Sequence, residues 1–160
     1  MTAELIRKYA PEGEYSVCMC GPQAMYDFVD KEVEKLKLRR KFVRPDVFAE
    51  YHNPDKNADY PVKAIGSKFK LNVIIRDEKY EVECDANETI LNAIERAGIP
   101  APAKCRSGVC GSCHSRLIDG KVYVPKSVDG RRLADYDYGY VHPCCTFPLS
   151  DVTIDVPPVR

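Results

Sequence analysis

The chain has 160 residues and eight cysteines, unevenly spread. Three stand close together in "CRSGVCGSCHSRL" as Cys105, Cys110 and Cys113, and the next is Cys144, after thirty intervening residues. Thiols this dense, on a loop of small residues, suit metal binding or redox chemistry. The spacing C-x4-C-x2-C with one remote cysteine is that of a [2Fe–2S] cluster, in which four thiolates hold two irons. The sulfurs of such a group carry negative charge, which backbone N–H donors have to meet. Those amides can approach only where the intervening side chains are small. Ser107, Gly108, Gly111 and Ser112 satisfy that demand, and glycine also permits the positive φ angles of a tight wrap.

Two other uses of thiols compete with this reading. A structural zinc site draws C-x2-4-C pairs from two separate knuckles, whereas here three candidate ligands crowd one loop. A disulfide framework belongs to secreted chains. No secretory signal or bilayer-length apolar run is visible, so the expected location is the cytoplasm. Basic and acidic residues balance at 24 each, which argues against a nucleic-acid tool or an acidic tail. Cys144 and its neighbour Cys145 both compete for the fourth ligand position. Cys84 reads as a packed core thiol. His114 reads as an exposed loop residue, and His52 and His142 have no partner at ligand spacing. Lys104 and Arg106 either offset the cluster's charge, meet a partner or are simply solvated. The tyrosines of "DGRRLADYDYGYVHP" are expected to pack over the cluster or to form a docking face.

The elements that must carry these residues can be read along the chain. Thr2 to Ala10 reads as a short capped helix, and "YSVCMC" as a buried strand. A helix then begins near Pro22, with Met25, Phe28, Val29, Val33 and Leu36 on one face. Phe42 to Phe48 suggests a further strand, placed at an edge by Pro45. "EYHNPDKNADYPVKAIG", residues 50–66, has the composition of an interdomain linker. Beyond it Phe69, Leu71, Val73 and Ile75 alternate with polar residues, "RDEK" turns the chain, and Tyr80, Val82 and Cys84 alternate back, as in a hairpin. Asn87 or Thr89 caps a helix bearing Ile90, Leu91, Ile94 and Ala97, which Gly98 ends. Short strands follow near 114–118 and 122–124, and 151–156 alternates like a closing strand.

With these residues in view, the stretch 66–156 resembles the plant-type [2Fe–2S] ferredoxins and the ferredoxin domains fused to bacterial reductases. "CRSGVCGSC", "ETILNAIERAGI" and "PCCTFPLSDVTIDV" carry the likeness. It implies a β-grasp fold, with Cys105 and Cys110 on one iron and Cys113 and Cys144 on the other. Cys144 followed by "CTF" and Pro148 fits the family pattern, and Cys145 departs from it. Upstream, "YSVCMCGPQAMYDFVDKEVEKL" resembles the last strand–helix part of the nucleotide domain in ferredoxin-reductase-like flavoproteins. There a C-G-P-x-x-M motif borders the nicotinamide, and Cys20, Gly21, Pro22 and Met25 match it. No flavin-binding motif and no glycine-rich dinucleotide loop is present.

The expected protein is α+β: a remnant of an NAD(P)-binding domain at 1–49, a linker at 50–66 and a [2Fe–2S] ferredoxin-like domain at 67–160. Its expected work is one-electron transfer. The resemblance implies that a parent chain like phthalate dioxygenase reductase supplies FAD or FMN and uses NAD(P)H, and that the electrons go to an acceptor such as an oxygenase. The alternatives are a stand-alone ferredoxin with a vestigial N-terminal arm and a structural zinc protein. No acid, base or nucleophile is expected on this chain.

Overall fold

A computed structural model describes residues 2–21, 23–45 and 50–159. The chain divides into two compact units, Met1–Ala49 and Glu50–Arg160.

In the first unit, helix α1 spans Ala3–Tyr9. The Thr2 hydroxyl caps it by accepting the Leu5 N–H, and Arg7 and Lys8 in the last turn oppose the negative end of the helix dipole. Strand β1 (Val17–Met19), helix α2 (Gln23–Glu34) and strand β2 (Val43–Pro45) follow, with β1 and β2 paired in parallel. Val17, Met19, Tyr26, Val29 and Val33 form the buried core. The helix face differs from the periodic expectation at one position, because Phe28 is half exposed. A two-stranded sheet offers one helix too little surface to cover every apolar side chain. Residues 46–48, the end of the expected strand, lie outside the described residues, as does Pro22.

The second unit begins with residues 50–66. They form two 3-10 turns, Pro54–Lys56 and Val62–Ala64, and pack with the second unit instead of hanging free as a linker. The composition is that of a loop, yet Tyr60 and Ala64 are buried with Ala86, Tyr123 and Phe147. Tyr60 donates its hydroxyl proton to the Ala86 carbonyl at 2.8 Å and meets the Tyr123 ring edge-on at 5.0 Å. The polar residues are partners in a chain of hydrogen bonds, Tyr51 to Asn57 to Tyr123 to Asp59, at 2.8, 2.9 and 2.7 Å.

Strands β3 (Lys68–Ile75) and β4 (Glu78–Asp85) form the expected hairpin, with Leu71 opposite Val82 and Val73 opposite Tyr80. Helix α3 (Ile90–Arg96) starts at Thr89, whose hydroxyl accepts the Asn92 N–H at 3.2 Å. Gly98, just past its end, has φ +74°. Strand β5 (Ser115–Asp119), the short strand β6 (Val122–Tyr123), helix α4 (Leu133–Asp137) and strands β7 (Tyr140–Val141), β8 (Phe147–Pro148) and β9 (Val152–Asp155) complete the unit. The main sheet has the order β4-β3-β9-β5-β7. The last strand therefore lies in the middle, parallel to β3 and antiparallel to β5. Leu71, Val73, Val152 and Ile154 from the sheet meet Ile90, Ala93 and Ile94 from α3 in one core. At roughly 1.5–3 kcal/mol for each large apolar side chain taken from water, this layer is the main support of the unit. By inserting β9 between β3 and β5, the fold also brings the chain around residue 144 back beside the loop after α3.

Candidate iron–sulfur site

The loop leaving α3 has to wrap tightly, and its backbone does so through three left-handed residues: Arg106 (φ 56°), Gly108 (φ 78°) and Gly111 (φ 71°). Glycine adopts such angles without strain. Arg106 is held there by its side chain, whose guanidinium forks to Glu50 and Glu95, each at 2.6 Å. Its charge is thus met by carboxylates, and it is not held free for a neighbouring anion. At Gly108 the space is decisive. A Cβ there would lie 2.1 Å from the Val128 carbonyl oxygen and 2.8 Å from Cys145 Sγ.

The loop amides point at sulfur. Cys110 N–H donates to Cys105 Sγ at 3.3 Å, and Ser112 N–H donates to Cys110 Sγ at 3.4 Å. The Gly108 amide lies beside Cys144. The thiols themselves meet in twos, Cys105 with Cys110 and Cys113 with Cys144. Cys144 arrives from outside the loop on a 3-10 turn, Pro143–Cys145, tied to α3 by the Ile90 N–H to Thr146 carbonyl bond at 2.9 Å.

Cys144 and Cys145 are both buried, so burial does not distinguish them. Their partners do. Cys144 contacts Cys113 and the Gly108 amide as well as Cys145, whereas the Cys145 thiol donates to the His142 carbonyl at 3.4 Å. Leu91 and Val128 pack around Cys113, Cys144 and Cys145, with Val124 and Ala103 beside them. Cys105 is only partly covered, and Cys110 is exposed.

The electrostatics follow this division. Partial burial pushes the Cys105 thiol up, but hydrogen bonds from the Ser107 side chain and backbone and from Cys110 outweigh it, leaving it near 6. The Cys113 thiol is pushed well up by its hydrogen bond to Cys144 and by burial. At Cys144 the bond with Cys113 lowers the value, while the Cys145 thiol and burial raise it, to about 12. Cys84 lies apart in the sheet core, raised to about 12 by burial, as befits a packed thiol.

Four thiols in two pairs, amides aimed at sulfur and a glycine with no room for a side chain fit a [2Fe–2S] group. Among the described residues no three His, Cys, Asp or Glu side chains converge on a single ion. Two irons, each with two protein ligands, need no such group.

Several neighbours carried no usable signal in the sequence. His142 is buried and hydrogen-bonds the Gly108 carbonyl. His114 is not a free loop residue: its Nε2 meets Asp135 Oδ1 at 2.7 Å and its ring stacks on Tyr140 at 4.2 Å. Tyr136 and Tyr138 are exposed, and the Tyr136 hydroxyl donates to Asp129 Oδ2 at 2.7 Å. In the first unit, Gly21 and Met25 come together, since a Cβ on Gly21 would sit 2.5 Å from Met25 Cε. Gly21 N–H donates to the Tyr26 hydroxyl at 3.1 Å, and Cys20 is exposed.

Fold and site together define a β-grasp electron-transfer domain built around one cysteine loop and one remote cysteine. The profile of the 2Fe-2S iron-sulfur cluster binding domain matches residues 73–149. The vegetative ferredoxin of Trichormus variabilis is 33% identical over 97 residues, covering 59% of this chain and 88% of that protein. The chain belongs to the [2Fe–2S] ferredoxin family, and its function is one-electron transfer through that cluster.

The likeness extends beyond the ferredoxin unit. NADH oxidoreductase HCR of Escherichia coli is 29% identical over 154 residues, 96% of this chain and 44% of that protein. The structure of phthalate dioxygenase reductase, described as modular for electron transfer from pyridine nucleotides to [2Fe-2S], is 22% identical with a TM-score of 0.56. It covers 96% of this chain and 43% of that one, and at this identity it speaks for the fold alone. The chain spans between 31% and 44% of the length of the reductase relatives it matches. No described helix is long and apolar enough to cross a membrane.

Proposed function

We propose that Cys105 and Cys110 hold one iron and Cys113 and Cys144 the other, and that the electron enters from the reduced flavin of an NAD(P)H-dependent reductase module in the same polypeptide. The observation that carries the ligand assignment is the pairing of the thiols, Cys105 with Cys110 and Cys113 with Cys144, with loop amides donating to their sulfurs. When bound, the cluster takes up and releases one electron, at about −400 mV in plant-type members. Leu91 and Val128 keep water from the inner pair. The exposed Cys110 offers the edge from which an acceptor such as an oxygenase component is reached.

Residues 1–49 act as the tail of the nucleotide-binding domain in this reading, with Cys20, Gly21, Pro22 and Met25 beside the nicotinamide. Support comes from the match of nearly the whole chain to an NADH oxidoreductase. The cytoplasm is the proposed location.

The test is anaerobic reconstitution with iron and sulfide, followed by electron paramagnetic resonance after dithionite. Cys144→Ser should lose the signal, and Cys145→Ser should keep it. Reversed outcomes would move the fourth ligand to Cys145. A colourless protein holding one zinc would overturn the reading altogether.

A further inference from the structure

The remote cysteine has to be held against a loop that is separate in sequence and rich in glycine. Gly108 is the critical joint. It has to be glycine, because Val128 leaves no room for a Cβ, and glycine has the widest conformational freedom to lose. Its amide lies beside Cys144. Something has to hold its other side.

His142 does so. Its side chain is buried within a residue only 4% exposed, and its Nδ1 lies 2.7 Å from the Gly108 carbonyl oxygen. A carbonyl only accepts, so Nδ1 carries the proton and donates. The Nε2 edge lies under the far side of the same loop, 3.9 Å from where a Gly111 Cβ would stand. Meanwhile the His142 carbonyl accepts the Cys145 N–H at 3.0 Å and the Thr146 hydroxyl at 2.8 Å, closing the turn that presents Cys144. One residue therefore grips both halves of the site, the turn through its backbone and the loop through its ring.

We propose that His142 is a positioning residue: by holding the Gly108 carbonyl it fixes the course of the loop beside the turn that presents Cys144, and with it the loop amides that face the thiols. This rests on Cys144 being a ligand. Hydrogen bonds to cluster sulfurs favour the more negative, reduced state and so raise the potential. Loosening Gly108 should lower it.

The test uses the reconstituted full chain. His142→Leu keeps bulk and removes the donor. It should shift the midpoint potential to more negative values, alter the paramagnetic g-values and speed iron loss to a chelator by roughly tenfold or more, the usual scale for outer-shell partners. His142→Asn places an amide N–H near the Nδ1 position and should return all three readouts toward the original protein. The proposal is overturned if the leucine variant keeps the original potential and spectrum, or if the asparagine variant is no closer to the original than leucine, which includes the case where neither takes up the cluster. Retention of an unaltered cluster by Cys144→Ser would instead overturn the ligand assignment, so the two failures are distinguishable.

Discussion

Cys105 and Cys110 come from one short loop, the first partly covered and the second exposed, while Cys113 and Cys144 come from segments separated by thirty residues and are 4% and 3% exposed. The outer pair is held by the loop's own amides, and Ser107 and Cys110 favour the thiolate at Cys105. The inner pair depends on long-range packing from α3, the 128–130 segment and the 143–145 turn, and hydrogen bonds among Cys113, Cys144 and Cys145, together with burial, raise its thiols. The difference separates two tasks. An electron carrier needs an edge near the surface for transfer and a dry side that keeps the cluster from hydrolysis. In the proposed ligand assignment the local pair supplies the first and the long-range pair the second.

The largest effect should come from breaking the inner pair. Cys144→Ser is expected to abolish cluster binding, read as loss of visible absorbance and of acid-labile sulfide. Close behind stands Gly108→Ala, which forces a side chain onto the Val128 carbonyl at a left-handed backbone. Little or no cluster should remain, with a clear fall in melting temperature. Gly111→Ala shares the left-handed geometry but would meet only His142 Nε2, at an ordinary contact distance of 3.9 Å, so its cost should stay near 1–2 kcal/mol, and a fall as large as that of Gly108→Ala would break the contrast.

Thiol reactivity sharpens the comparison in the cluster-free protein. The lowered value at Cys105 means that its thiolate predominates above about pH 6 and is lost as pH falls through that value. Mass spectrometry should therefore find Cys105 alkylated by iodoacetamide at pH 7, with labelling falling off toward pH 5. Cys144, raised to about 12, should stay unlabelled across that range. Equal labelling at pH 7 would remove the electrostatic part of the division. The smallest effect belongs to Arg106→Gln. Its ion pairs are about one third exposed, so solvent screening limits the loss to about 1 kcal/mol. Denaturant titration of the loaded protein would measure it.

Much of this protein was legible before its fold was. Thr2 and Thr89 cap the helices they precede, the alternation through 69–84 is a hairpin, and Gly98 ends α3. These are local rules, set within a few residues by backbone geometry and side-chain period. Phe28 failed the periodic expectation because its helix lacks enough sheet to cover that face. The loop-like composition of residues 50–66 gave no sign that Tyr60 and Asn57 find partners far along the chain.

The sequence by itself determined the thiol spacing, the small residues between the thiols and the short elements on either side. Only the tertiary structure decided that Cys144 and not Cys145 meets Cys113, that Arg106 answers to Glu50 and Glu95, and that His142 lies beneath Gly108. The reason is the position of β9. A strand inserted between β3 and β5 folds the region around residue 144 onto the loop that begins at 105, and no period or propensity along the chain records which side chains then come face to face.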